Sequence, residues 1–510
     1  MKKLFLTLLI VPFLTKGQQA TIHFDIKNST AENIKISFFD DYTNPKVLFE
    51  KKNWVDIPLT NGEADWTYQL SQPVYIGVYY QNDSKEKWFD YSFYLSPKDE
   101  LQFSIDENNL RTSIVVRGKG SQNNQPLIQQ IHDDFLQTLY ATYKQDTLPN
   151  HVFKAIKNKN ELNRKTLKGY IAKYHPTKDF VKKETMYIQY FPIMRYSSFK
   201  GNQKFNVREA YYRNKNKWES IADSLIKVNP INNDEALNVS GYSYFLSNFL
   251  LRTKERLWDD DELLKKYIAT NNHSESLITE PIPTDIAQMY EDDPENLLRE
   301  KIIEKHFTGK IAEFLYVIIF QESISENEDN LPEIFTRFKQ KYPKSQYISY
   351  IEPAVVKIEE NRNRKITDKM KFENTESFQT FEDVLKLVKG KTVLLDMWGT
   401  WCGPCREEIS LNSDSIKHHF KDKALNFLYI ANRDIGKETK WRELIAYYNL
   451  TGTHILASLN LTKDIMTKVN GDGFPTYVII KKDGTFELSE TGYPMKREIL
   501  IKQLERALTD

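Results

Sequence analysis

"WGTWCGPC", residues 398–405, decides how the C-terminal part of this 510-residue chain is read. It contains both cysteines of the sequence, Cys402 and Cys405, with two residues between them. A disulfide joining positions so close closes almost no loop and restricts little of the unfolded ensemble, so stability is a poor reason for the pair. Reactivity is a better one. The apolar run "KTVLLDMW" (391–398) before it reads as a buried strand, and "CREEISLNSDSIKHHF" (405–420) after it has helical period. Cys402 then falls at the first turn of a helix, where unpaired N–H groups and the positive end of the helix dipole favour an anion. Such a place favours the thiolate, the form that attacks disulfides, and can bring a cysteine pKa from about 8.5 to about 7 or lower. Cys405 follows one helical turn later, with its sulfur close enough to attack a mixed disulfide formed at Cys402. Gly403 and Pro404 keep the turn tight, and proline is tolerated there because first-turn N–H groups need no intrahelical partner.

Outward from this motif, helical and apolar stretches alternate. "FEDVLKLVKG" reads as a helix, "LNFLYIAN" as a strand, "KWRELIAYYNL" as a helix and "THILAS" as a strand; "KDIMTKVNG" (helix), "PTYVII" and "TFELSE" (strands) and "KREILIKQLERAL" (helix) follow. Continuous apolar runs between helices predict a sheet covered on both faces, an α/β domain over residues 364–510. The polar stretch "NRNRKITDKMKFENTES" (361–377) is the best candidate linker before it.

Upstream the pattern changes twice. Residues 18–124 hold short alternating runs, among them "ATIHFDIKN", "NIKISFFDD", "QPVYIGVYYQ" and "TSIVVRGKG", separated by Asn, Asp, Pro and Gly, and predict an antiparallel all-β sandwich. Residues 125–363 have helical period and predict an α-helical middle region. Within it, "LPEIFTRFKQKYPKSQYISYIEPAVVKI" resembles the helix, "YP" turn, helix unit of tetratricopeptide-like arrays. The same region carries a basic run, Lys154 to Lys183, with ten Lys or Arg against two acids, and acidic patches at Asp259–Glu262 and Glu291–Glu295. Solvated helix surface explains these charges better than docking faces do. Packed core likewise explains the tyrosine-rich "YIQYFPIMRYSSF".

Residues 1–17 have the form of a signal peptide: Lys2 and Lys3, an apolar run from Leu4 to Leu14, then Gly17. That run is too short to span a bilayer. The expectation is an exported, soluble chain in the periplasm or cell envelope. Lys+Arg is 71 and Asp+Glu 70, a net charge of +1 that gives no field to recruit nucleic acid.

"VLLDMWGTWCGPCREE" together with "GFPTYVII" resembles thioredoxin, and the longer C-terminal form resembles the exported TlpA and ResA type thiol:disulfide oxidoreductases of bacteria. The resemblance covers about residues 368–510, and the three-part architecture is similar to large TlpA-like proteins of Bacteroidetes. It implies that Cys402 is the attacking and Cys405 the resolving thiol. Asp396 matches the internal carboxylate that relays a proton to or from the resolving cysteine, its pKa raised by burial. Pro475 matches the cis-proline facing the disulfide, which lets the backbone of Phe474 pair with an extended substrate. Trp401, Gly403 and Pro404 would complete the substrate-binding surface, with Trp398 packed below. Two departures stand out. Ser410 occupies the position of a helix-kinking proline, and 69 residues separate Cys405 from Pro475, room for an added helix and strand.

The implied activity is reduction or isomerisation of protein disulfides, with the Cys402–Cys405 disulfide as the only redox group and no cofactor. The implied partners are a disulfide-containing protein substrate and, as electron donor, a membrane thiol carrier of the DsbD or CcdA type. The thioredoxin-like Gly-Pro dipeptide points to a low potential, thioredoxin itself lying near about −270 mV. A zinc site needs four closed ligands, and His418, His419 and His454 supply no matching pair near a cysteine. The rival reading is a binding or scaffold protein whose thioredoxin fold docks partners with little redox turnover, kept alive by the roughly 350 residues outside the redox domain.

Overall fold

The computed structural model describes residues 18–38, 45–50, 54–110, 112–258, 294–324 and 330–509. The signal-peptide stretch, the acidic patch Asp259–Glu262, most of Glu291–Glu295 and the helical run "DELLKKYIAT" lie outside the described residues. No described helix is long and apolar enough to cross a membrane.

Two compact units divide the chain, the first comprising Met1–Glu280 with Lys301–Val317 and the second Pro281–Glu300 with Ile318–Asp510. The first begins with a sandwich of eight strands: β1 (Gln18–Lys27), β2 (Asn33–Phe38), β3 (Trp54–Pro58), β4 (Glu63–Leu70), β5 (Val74–Gln81), β6 (Trp88–Leu95), β7 (Glu100–Asp106) and β8 (Val115–Lys119). A short helix, α1 (Pro45–Glu50), stands between β2 and β3. One sheet runs β4-β1-β7-β8 and the other β3-β2-β5-β6. Alternation explains the layering: Ile22, Phe24 and Ile26 of β1 point inward against Phe89, Tyr91, Phe93 and Phe103, all buried. The purely antiparallel expectation is corrected at one pair. β1 and β7 run parallel, β1 lying between the edge strand β4, which pairs with it antiparallel, and the first strand of the β7–β8 hairpin.

The remaining helices of the described chain before the α/β fold are α2 (Phe135–Tyr143), α3 (Pro149–Tyr174), α4 (Lys178–Asn206), α5 (Arg208–Arg213), α6 (Lys215–Val228), α7 (Tyr242–Trp258), α8 (Pro294–His306), α9 (Gly309–Ser323), α10 (Leu331–Lys341) and α11 (Ile348–Arg362). The "YIQYFPIMRYSSF" stretch lies in α4, with Tyr190, Phe191, Ile193, Tyr196 and Phe199 buried as core. α4 also closes the outer face of the β5–β6 sheet. Glu184, fully buried, accepts the Tyr75 hydroxyl at 2.6 Å and His132 Nε2 at 2.9 and 3.0 Å, and Tyr94 donates to Asp179. The compositional boundary near 363 and the unit boundary differ: α10 and α11, joined through the Tyr342-Pro343 turn, fall in the second unit. There Arg364 Nη1 donates to the Tyr447 carbonyl at 3.0 Å.

The second unit ends in a six-stranded sheet: β9 (Met370–Phe372), β10 (Thr392–Trp398), β11 (Leu425–Asn432), β12 (Gly452–Ala457), β13 (Thr476–Ile480) and β14 (Phe486–Leu488), ordered β14-β13-β10-β11-β12-β9. Five helices cover it: α12 (Phe381–Leu387), α13 (Gly403–His419), α14 (Glu438–Tyr447), α15 (Leu459–Val469) and α16 (Arg497–Thr509). The stretch read as a linker contributes β9, an edge strand paired in parallel with β12. Its three residues are too few to produce a readable alternation. Every residue of β10 is buried, and its side chains alternate between the two faces of the sheet. Val393, Leu395 and Met397 pack with Phe381 of α12 and Leu461 of α15 on one face, and Trp398 packs with Ile409 of α13 and Trp441 of α14 on the other. At about 1.5–3 kcal/mol per fully buried large apolar side chain, this strand anchors the domain and fixes the point where the chain leaves it.

Candidate active site

β10 ends at Trp398 and α13 begins at Gly403, so residues 399–402 form the turn that presents the cysteines. Cys402 is the N-cap of α13, with φ −88° and ψ 94°, and its sulfur accepts the Cys405 N–H at 3.2 Å. A negative charge on that sulfur is therefore stabilised by a helix N-terminal amide. The cysteines form a disulfide with Cα atoms 5.3 Å apart, and both are nearly buried, Cys402 at 3% and Cys405 at 1% exposure. Gly403 and Pro404 occupy the first turn of α13.

The turn is braced from the end of β11. Thr400 donates its backbone N–H and its hydroxyl to the two oxygens of buried Asp434 at 2.8 and 2.7 Å. Asn432 Nδ2 donates to the Trp398 carbonyl at 2.5 Å, and Trp401 Nε1 donates to the Asn432 carbonyl at 2.9 Å. Folding the indole back this way leaves no room at position 399: a Cβ on Gly399 would sit 2.5 Å from Trp401 Nε1 and 3.0 Å from the Asn432 oxygen. Trp401 is 44% exposed and meets the edge of Phe474 with ring centroids 6.0 Å apart, while the Arg433 guanidinium lies 5.2 Å from the Trp401 ring centroid. The Phe474–Pro475 peptide bond is cis. Trp398 is fully buried beneath this surface.

Asp396 lies on the α13 face of β10, two positions before Trp398. It is beside Glu408, Ile409, Asn412 and Ser413, one turn and more past Cys405, at a cavity of about 30 Å³. A space of that size holds about one or two waters. Among the described residues Asp396 Oδ1 has no hydrogen-bond partner. Burial, and after it the neighbouring Glu408 carboxylate, push the Asp396 pKa up to about 7 against the opposing pull of Lys417. A buried carboxyl titrating near neutrality can take or give a proton under working conditions. Lys417, itself brought down to about 8 by burial, donates to the Asn449 carbonyl at 2.9 Å.

Glu408, Asn432 and Asp434 were not singled out from the sequence. Glu408 follows Cys405 by three and faces the same core, a helical spacing that could have exposed it. Its oxygens accept the Met495 N–H at 2.9 Å and Asn412 Nδ2 at 2.6 Å. Asn432 and Asp434 act from 31 to 34 positions away in sequence, and no local pattern signals their contacts. Of the histidines weighed as zinc ligands, His454 is buried between the Phe372 and Tyr429 rings and donates from Nε2 to the Leu450 carbonyl at 2.7 Å. Burial lowers its pKa to about 4. His419 pairs with Glu505 at 2.9 Å. Among the described residues no three His, Cys, Asp or Glu side chains gather as a metal would need.

A thioredoxin-like family model matches residues 390–486, the segment from the start of β10 to β14. The thioredoxin-like protein YneN of Bacillus subtilis is 29% identical over 119 residues, 22% of this chain and 65% of that protein. The thiol-disulfide oxidoreductase ResA of Bacillus subtilis is 29% identical over 108 residues, 21% of this chain and 55% of that one. The chain thus spans between about half and two thirds of the length of the curated relatives it matches. Among solved structures, the thioredoxin domain of a thiol-disulfide oxidoreductase from Bacteroides vulgatus is similar at 23% identity and a TM-score of 0.21, covering 24% of this chain and 84% of that one. With a CxxC disulfide at the strand-to-helix turn of this α/β fold, the C-terminal region matches a thioredoxin-like family model and is similar to the thiol-disulfide oxidoreductase ResA.

Proposed function

We propose that this chain is an exported thiol:disulfide oxidoreductase of the periplasm or cell envelope that reduces or isomerises protein disulfides. The observation that carries the reading is the Cys402–Cys405 pair at the N-terminus of α13, with an amide on the first sulfur and a cis-proline and an exposed tryptophan in the same domain. In the reduced protein the Cys402 thiolate attacks one sulfur of a substrate disulfide. A mixed disulfide forms, and the first substrate sulfur leaves as a thiolate that takes a proton from solvent. Cys405 then gives up its proton along a route ending at Asp396 and attacks the Cys402 sulfur, and the second substrate sulfur departs and is protonated. The substrate has gained two electrons and two protons, and Cys402–Cys405 is oxidised. A membrane dithiol carrier of the DsbD or CcdA type returns two electrons and two protons, since an exported reductant works against an oxidising compartment.

The test is insulin reduction by the full chain with dithiothreitol as donor. The uncatalysed background is subtracted, and Cys402→Ser is expected to lose at least about a thousandfold in rate. Cys405→Ala is expected to accumulate mixed disulfides that identify substrates in cells. Equal rates for wild type and Cys402→Ser would favour the binding or scaffold reading.

A further inference from the structure

In the first unit, far in sequence from the cysteines, α4, α6 and α7 line a cavity of about 370 Å³. That volume lies in the range of small-molecule sites. Its walls are apolar where Ala222, Ile231, Phe245 and Phe249 meet, and each of these is buried or half-buried. Its lining also carries an excess of positive charge: five permanent cations, Lys200, Lys204, Lys215, Arg252 and Arg256, against the three carboxylates Glu219, Asp223 and Glu255. Two of those carboxylates are already engaged. Glu219 pairs with Lys200 at 2.7 Å, and Glu255 with both Lys204 at 2.7 Å and Arg252 at 2.8 Å. Lys215 and Arg256 have no ion-pair partner among the described residues.

Arg252 is brought into the wall by a specific device. Gly201 sits in α4, and a Cβ there would come within 3.1 Å of Arg252 Nη2 and 3.2 Å of Nε. A glycine inside a helix costs about 1 kcal/mol relative to alanine. Here the missing side chain leaves room for the guanidinium against the helix. Burial, with the charges of Lys305 and Arg256 adding to it, holds the pKa of the lining residue His306 below its ordinary value.

An apolar lining with an excess of cations matches one ligand chemistry. A wholly polar anion would leave the phenylalanines uncovered, and a neutral apolar molecule would desolvate lysine and arginine without compensation. We propose that this cavity binds a small amphiphilic anion, an apolar body carrying a single carboxylate or phosphate head, held by Phe245 and Phe249 at the body and by Lys215, Arg252 and Arg256 at the head. The site is separate from the dithiol and stands whether or not the redox reading does.

Titration calorimetry of the full chain with decanoate and decyltrimethylammonium below their micelle concentrations, and decanol below its solubility limit, varies the head on a constant tail. Decanoate is expected to bind saturably at one site and about tenfold or more tighter than decanol, the worth of charge-assisted hydrogen bonds, with no binding of the cation. The surface double variant Lys215→Gln/Arg256→Gln is expected to bring decanoate to the level of decanol, and Ile226→Trp, which fills the space, to remove both. Sedimentation with phosphatidylglycerol vesicles separates two sources of the same chemistry. Co-sedimentation lost in the double variant supports a lipid taken from a bilayer, whereas decanoate binding without co-sedimentation supports a free amphiphile. Equal affinity for all three heads, no saturable decanoate binding, or decanoate binding unchanged in the double variant overturns the proposal.

Discussion

Two buried carboxylates, one in each unit, are handled in opposite ways. Glu184 of α4 is fully buried and saturated, with Tyr75 and His132 donating to it across the junction of sandwich and helices. Asp396 of β10 is also buried, but one of its oxygens has no partner among the described residues, a second carboxylate lies nearby, and a small cavity adjoins it. The first arrangement stabilises a junction. The second holds a proton loosely near neutral pH, which costs stability and is useful only to chemistry.

Four experiments break or sharpen this contrast. The largest effect is expected at the saturated site. Glu184→Ala leaves the Tyr75 hydroxyl and the His132 ring without their acceptor inside the protein, a loss of about 3–5 kcal/mol. Chemical denaturation of the first unit reads it, and insulin reduction should be unchanged; a parallel fall in turnover would undo the division of roles. Next comes the pH dependence of stability. Asp396 keeps its proton up to about pH 7 when folded but releases it near pH 4 when unfolded, so unfolding releases a proton between those values. The unfolded state binds fewer protons in that window, and stability declines as pH rises from about 4 to about 7, with no contribution below it and a constant penalty above. Asp396→Asn should flatten that slope and gain about 2–4 kcal/mol at pH 8, measured by denaturation at a series of pH values.

The same substitution should slow resolution of the mixed disulfide about a hundredfold at pH 7 and remove the inflection near neutrality from the rate profile, while alkylation of reduced Cys402 proceeds as in wild type. Stopped-flow kinetics separate the two steps. The smallest change is expected at the rim, where Arg433→Ala removes a cation over Trp401 worth about 0.5–1 kcal/mol and should lower kcat/KM for a protein substrate by about two- to fivefold without altering dithiothreitol oxidation.

Much of this contrast is legible in the sequence alone. The α/β order around Cys402 follows from apolar runs alternating with helical period, and β10 is so thoroughly buried that its seven residues announce it. Asp396 stands out in the same run because a carboxylate interrupts it. Glu184 does not stand out: it sits in a long helix with many charges, and its burial depends on Tyr75, 109 positions earlier, folding onto it. The Asn432 and Asp434 brace is hidden for the same reason. Strand β9 escaped because three residues give no period, and the parallel pairing of β1 with β7 escaped because alternation predicts strands and faces but not neighbours. Side chains that complete a site from a distant strand are set by topology, which local pattern does not encode.

The central place of β1 has a consequence for how the molecule comes into being. Its neighbours are supplied by residues 63–70 and 100–106, so a growing chain cannot finish that sheet until more than a hundred residues have been made. Until residues 63–70 have emerged the first strand waits with both edges open, and until residues 100–106 follow it keeps one open, a natural target for a holding chaperone. For the same reason, proteolytic nibbling that reached past Gln18 would remove the middle of a sheet and not its margin, and tags or fusions placed there meet the least forgiving end of the domain.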